Sequence, residues 1–170
     1  YQRLRDIKVN KEYRPKGVIF FPKIRLTQFS GIEIDDFAHE IAVLSMWLAE
    51  HQMNVEFRDE FHQVIPPLPL KESGNIVCKN ATEEDWETVC QKSDDAEIYV
   101  LGNPPYLGAR FQDAKQKADV ERVFKDAPSA RKLDYIACWF LKGARYIKNA
   151  NAQLAFVSTN SICQGQLVSI

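Results

Sequence analysis

The stretch Ile98-Tyr99-Val100-Leu101-Gly102-Asn103-Pro104-Pro105-Tyr106 decides the fold. Its first four residues form an apolar run that reads as a buried strand. The polar, proline-rich turn that follows then sits at the carboxyl end of that strand, where open α/β sheets bind their ligands. Asn103 offers an amide, the two prolines offer carbonyls without neighbouring N–H donors, and Tyr106 offers an aromatic face. That set suits a flat ring bearing an amino group.

The turn is stiff by construction. Asn103 and Pro104 both precede a proline, which pushes them towards extended backbone. The prolines are also fixed at φ. The segment can thus hold one shape with few supporting contacts. The Asn103 side-chain oxygen and the Pro104 carbonyl can converge on an exocyclic NH₂ as acceptors and draw its hydrogens out of the ring plane. The nitrogen lone pair becomes less delocalised and more nucleophilic. Tyr106 can stack on the same ring.

Working outward, residues 27–34 read as a strand and residues 36–52 as a helix. Asp35 and Asp36 supply carboxylates for the free N–H groups of the first turn. Phe37, Ile41, Leu44 and Leu48 recur at helical spacing, with Trp47 on the flank. Residues 54–74, with Pro66, Pro67 and Pro69, read as a long connection. Ile76-Val77-Cys78 reads as a short buried strand. Residues 80–92 read as a turn and a short helix, with Thr82 as the cap. Residues 108–128 are polar and read as a mobile, solvated excursion with some helix over 112–124. Residues 133–147 form a second amphipathic helix with Ile136, Phe140, Ala144 and Ile147 on one side, and 154–157 a further buried strand. Near the N-terminus, residues 1–10 carry a weak helical signal and residues 13–23 a short strand between loops. Strands alternating with helices at this rhythm imply a doubly wound, mostly parallel α/β sheet.

Composition bounds the function. The chain has 170 residues, 45% hydrophobic and 26% charged, an ordinary globular balance. Its net charge is −1, from 22 basic and 23 acidic residues. A domain that grips duplex DNA by itself usually carries a basic surplus, so such a grip comes from elsewhere or from a local patch. None of the four cysteines are paired at zinc-site spacing, and no metal is expected. Cys78 and Cys138 read as buried, reduced thiols, which fits the cytoplasm. No apolar run is long enough to span a membrane. The chain opens without Met and stops at Ile170 without a closing element, so it reads as a piece of a longer protein.

Two further positions stand near expected strand ends. Glu33 can accept both hydroxyls of a ribose; spacing alone equally fits a plain strand-end carboxylate. Asn80 can bond a purine amino group, and a simple turn asparagine fits its surroundings at least as well. His39, His51 and His62 are not grouped with other ligands, and Ser158 and Ser161 lack a matched His and Asp.

With these residues in hand, a family resemblance is plain. Asn103-Pro104-Pro105-Tyr106 resembles motif IV of S-adenosylmethionine-dependent amino-methyltransferases. Residues 31–35 are similar to their motif II, 74–81 to motif III, 133–140 to motif V and 153–157 to motif VI. The order is that of the gamma-class N6-adenine DNA methyltransferases. The nearest type is the large single-chain restriction–modification protein, in which methyltransferase, nuclease and specificity parts share one polypeptide.

The resemblance implies a Rossmann-like core whose first strand, carrying the glycine-rich motif I, lies before Tyr1. It assigns residues 1–26 to a preceding segment and 27–170 to a partial catalytic domain. It implies that Glu33, Ile34, Asn80, Ala81 and Asn103 bind S-adenosylmethionine. It implies that Asn103, Pro104, Pro105 and Tyr106 form the catalytic set around a flipped adenine. Double-stranded DNA would be held through parts outside this chain, a nuclease can share the polypeptide, and the chain alone would be inactive. The same tetrapeptide also serves enzymes acting on a protein glutamine amide or an RNA guanine amino group. The motif V match and the long segment between motifs II and III disfavour those. A methyltransferase-like module that binds without catalysis is the remaining alternative.

Overall fold

A computed structural model describes residues 24–62, 74–125 and 127–163. The readings of residues 1–10 and 13–23, and of the prolines at 66, 67 and 69, lie outside them. The described residues form two compact units: 24–29 with 42–62 and 74, and 30–41 with 75–163.

A 3-10 turn spans Leu26–Gln28, closed by the Arg25 N–H donating to Gln28 Oε1 at 2.7 Å. The expected strand over 27–34 therefore starts later, as β1, Ser30–Glu33. The long helix α1, Asp36–Phe61, runs nine residues past its expected end. Neither proline nor glycine interrupts it there, and Phe57 and Phe61 stack one turn apart with ring centroids 4.6 Å apart. Gly74 has φ +87°, and a Cβ on it would lie 3.1 Å from the Leu26 and Phe29 carbonyl oxygens. Both facts require glycine there.

The second unit holds two parallel strand pairs. β1 pairs with β2, Asn75–Cys78, with Glu33 opposite Cys78. β3, Ile98–Gly102, pairs with β4, Ala152–Phe156, with Gly102 opposite Phe156. This is the incomplete, parallel α/β core expected, in two-stranded pieces among the described residues. The strands are less buried than their apolar sequences suggest. In β3, Tyr99 is 58% and Leu101 76% exposed, because no described element covers that face.

The short helix α2, Trp86–Val89, is capped by Asp85, whose side chain accepts from the Glu87 N–H. Thr82, the expected cap, is instead buried in the preceding turn. Helix α3 spans Ala114–Val123, a 3-10 turn spans Pro128–Lys132, and helix α4 spans Ala137–Ile147.

The core lies here. Val120, Val123, Phe124, Ala130, Leu133, Tyr135, Ala137 and Cys138 cluster, with Leu107 and Trp139 packed against them. The expected mobile excursion thus contributes Val120, Val123 and Phe124 to the core of the described residues. Lys115, Lys117, Glu121 and Arg122 stay exposed on α3, while Asp119, Val120, Val123 and Phe124 turn inward. On α4, Ala144 is exposed rather than part of the apolar side, which instead buries Ala137, Cys138, Gly143 and Tyr146.

Candidate active site

The tetrapeptide begins where β3 ends. Gly102 suits the close approach there: a Cβ would lie 3.3 Å from two Phe156 ring atoms on the paired strand, so the ring would have to shift. The Gly102 carbonyl accepts from the Val157 N–H at 2.9 Å, which fixes the entry to the turn. Asn103 is exposed, Pro104 is buried, and Pro105 and Tyr106 are exposed again. The Asn103 amide makes no hydrogen bond to any described residue. The Tyr106 ring is 48% exposed.

The exit is held more firmly still. The Leu107 N–H donates to Asp134 Oδ1 at 2.8 Å. The Leu107 carbonyl accepts from the Tyr135 N–H and from Gln112 Nε2, both at 2.9 Å. Gln112 is buried and spends its second amide hydrogen on the Leu133 carbonyl, also at 2.9 Å. The four residues of interest therefore bridge two held anchors, and among the described residues their side chains take no hydrogen bond. That is the arrangement a preorganised acceptor site needs.

A second group gathers at the ends of β1 and β2. Glu33 is half-buried, and its Oε1 accepts from the Ile34 and Asp35 N–H groups at 2.8 and 3.0 Å. Its other oxygen takes no bond among the described residues. Asp35 Oδ1 accepts from the Ala38 N–H at 2.8 Å, so Asp35 starts α1 as its sequence suggests. Ile34 is 67% exposed. Asn80 stands two residues past Cys78, with Oδ1 accepting from the Thr82 N–H at 3.0 Å and from Thr82 Oγ1 at 2.9 Å. Ala81 gives its carbonyl to Trp86 Nε1 at 2.9 Å. Cys78, expected to be buried, is exposed at this edge, whereas Cys138 is fully buried as expected.

The turn after β2 is tied to the helices that follow the tetrapeptide. Asn80 Nδ2 donates to Asp119 Oδ2 at 3.3 Å. The Tyr135 hydroxyl donates to the same oxygen at 2.6 Å. Arg122 bonds Asp119 Oδ1 and also pairs with Glu83 at 3.2 Å. Lys142 Nζ donates to the Thr82 and Glu84 carbonyls at 3.1 and 2.6 Å.

Burial and the neighbouring Asp119 hold the Tyr135 phenol well above its ordinary range. Burial pushes the Cys138 thiol up to about 12 and draws Lys142 down. The hydrogen bond from Lys79 lowers Glu84.

Sequence reading missed Gln112, Asp119 and Asp134. One signal was available for their placement. Asp113 and Gln116 form a reciprocal capping box that marks the start of α3. Continuing three to four residues at a time from there puts Asp119 beside the inward-facing Val120 and Val123.

Known proteins share this chain throughout. A family model described as the DNA-methyltransferase domain of MmeI matches residues 1–170. DNA methyltransferase A of Bacillus subtilis (strain 168) is 45% identical over 175 residues, covering 100% of this chain and 20% of the relative. A solved structure of the type IIL restriction–modification enzyme MmeI in complex with DNA superposes with a TM-score of 0.84 at 42% identity, over 98% of this chain and 23% of that one. The chain spans about a fifth of the length of these relatives. It belongs to the family of MmeI DNA-methyltransferase domains.

Proposed function

We propose that this chain is catalytic machinery of a site-specific DNA methyltransferase in a restriction–modification system, acting on adenine N6 with S-adenosylmethionine as donor. Residues 27–170 form the partial catalytic domain in this reading. The observation that carries it is the tetrapeptide: anchored at Gly102 and Leu107, with the Asn103 amide making no hydrogen bond among the described residues.

The described residues fit the donor. Glu33 has one oxygen committed to its own backbone and one available for ribose hydroxyls. When bound, S-adenosylmethionine would supply an electrophilic methyl group on a sulfonium centre for the N6 lone pair, and the residues named here would hold its ribose and adenine. Asn103 and the Pro104 carbonyl hold the N6 hydrogens and turn the lone pair outward. Tyr106 stacks on the extruded base, worth about 1–3 kcal/mol. Extrusion is needed because N6 is paired inside the duplex. Ala81 lies beside Asn80 on the donor side, and Pro105 stiffens the acceptor turn.

With a net charge of −1, the chain leaves most of the duplex grip to the rest of the polypeptide, which can also carry a nuclease. Among the described residues, no helix is long and apolar enough to cross a membrane. A cytoplasmic location agrees with this reading.

The test is product identity. The full-length protein, duplex DNA and labelled S-adenosylmethionine are incubated, and the DNA is digested to nucleosides. Label in N6-methyladenine supports the proposal. Label in a cytosine derivative, or in protein or RNA instead of DNA, refutes it.

A further inference from the structure

We propose that Asp119 is a positioning residue for the methyl-donor pocket: together with the Thr82 N–H, it holds the Asn80 amide with its oxygen end available to the donor's adenine. This rests on the function proposed above.

An asparagine amide has two ends of nearly equal size and opposite hydrogen-bonding sense. Accepting a purine amino group requires the oxygen end. Asp119 is 5% exposed, and its carboxylate is paired with Arg122. A paired carboxylate only accepts. It therefore takes the NH₂ end of Asn80, at 3.3 Å, and leaves Oδ1 on the other side. There Oδ1 accepts from the Thr82 backbone and hydroxyl. The hydroxyl is a rotor and can yield its place to an incoming amino group, while the backbone bond stays.

Asp119 is itself immobilised. The Tyr135 hydroxyl holds Oδ2 at 2.6 Å, and Arg122, which also reaches Thr82 Oγ1 at 3.4 Å, holds Oδ1. Tyr135 also donates its N–H to the Leu107 carbonyl, so the residue that holds Asp119 on the donor side also holds the exit of the Asn103 turn.

The experiment uses the full-length protein and calorimetric titration with S-adenosylhomocysteine and with S-inosylhomocysteine, which carries an oxygen in place of the 6-amino group. Wild type is expected to prefer the adenosyl ligand. Asp119→Leu and Asp119→Ala are expected to lower that preference by about tenfold, the worth of one misdirected hydrogen bond. Asp119→Asn can keep an oxygen towards Asn80 and Tyr135, and is expected to retain the preference.

A volume-conserving pair guards against misfolding. Asn80→Asp sets two acceptors face to face and is expected to weaken adenosyl binding by about tenfold. Adding Asp119→Asn supplies a donor again and is expected to restore it. An unchanged preference in folded Asp119→Leu or Asp119→Ala, or wild-type affinity in Asn80→Asp, overturns the role of Asp119 alone. If wild type binds neither ligand, the functional reading falls with it.

Discussion

Gln112→Met would remove the buried clamp on the Tyr106 turn while nearly conserving volume. Gln112 is 5% exposed and uses both amide hydrogens, one on the Leu107 carbonyl and one on the Leu133 carbonyl, each at 2.9 Å. Losing two such bonds costs about 1 kcal/mol each. The Leu107 carbonyl keeps the Tyr135 N–H, but the buried Leu133 carbonyl is left without a described donor. That desolvated oxygen adds about 1–2 kcal/mol, for a total of about 3–4 kcal/mol. Urea unfolding followed by circular dichroism and tryptophan fluorescence measures it. The fluorescence is informative because Trp139 packs edge-on against Tyr135, with centroids 5.1 Å apart. Gln112→Glu should cost more than Gln112→Met at neutral pH, since a carboxylate would face two carbonyl oxygens. A loss below about 0.5 kcal/mol for Gln112→Met, the scatter of surface substitutions, would refute the clamp.

Other expectations are simpler. Gly74→Ala should destabilise by about 1–2 kcal/mol, from its φ of +87° and the two carbonyl oxygens 3.1 Å from the new Cβ; an unchanged urea midpoint would count against it. Burial raises the Cys138 thiol from its ordinary 9.0 to about 12, so the folded state keeps a proton that the unfolded chain releases. This contribution is complete below about pH 9 and fades as pH rises towards 12, so the urea midpoint should drop between pH 7 and 10.5. In native protein at neutral pH, iodoacetamide should modify exposed Cys78 and spare Cys138 until urea is added, as peptide mass spectrometry would show.

The parallel α/β class and the site turn were legible in the sequence because they rest on local signals. The apolar run 98–101, the glycine at 102 and the two prolines state their own geometry. Asp35 announced the start of α1 for the same reason. What escaped was non-local. Asp119 looked like one charge among the lysines of residues 115–125, and only tertiary packing turns it inward to Tyr135 and Asn80. Gln112 and Asp134 are likewise defined by partners 21 and 27 residues away. Exposure failed in the other direction for Cys78 and Leu101, where apolar neighbours suggested burial on faces that no described element covers.

The acceptor role of Asn103 is the centre of the proposed mechanism, and single-turnover methyl transfer by full-length Asn103→Ala tests it most directly. Removing one preorganised polar group from the reacting atom should slow transfer to adenine by at least about 10²-fold. The measurement is made at saturating S-adenosylmethionine, so that the loss reads the chemical step even where donor affinity also falls. A transfer rate within about threefold of wild type would contradict the mechanism.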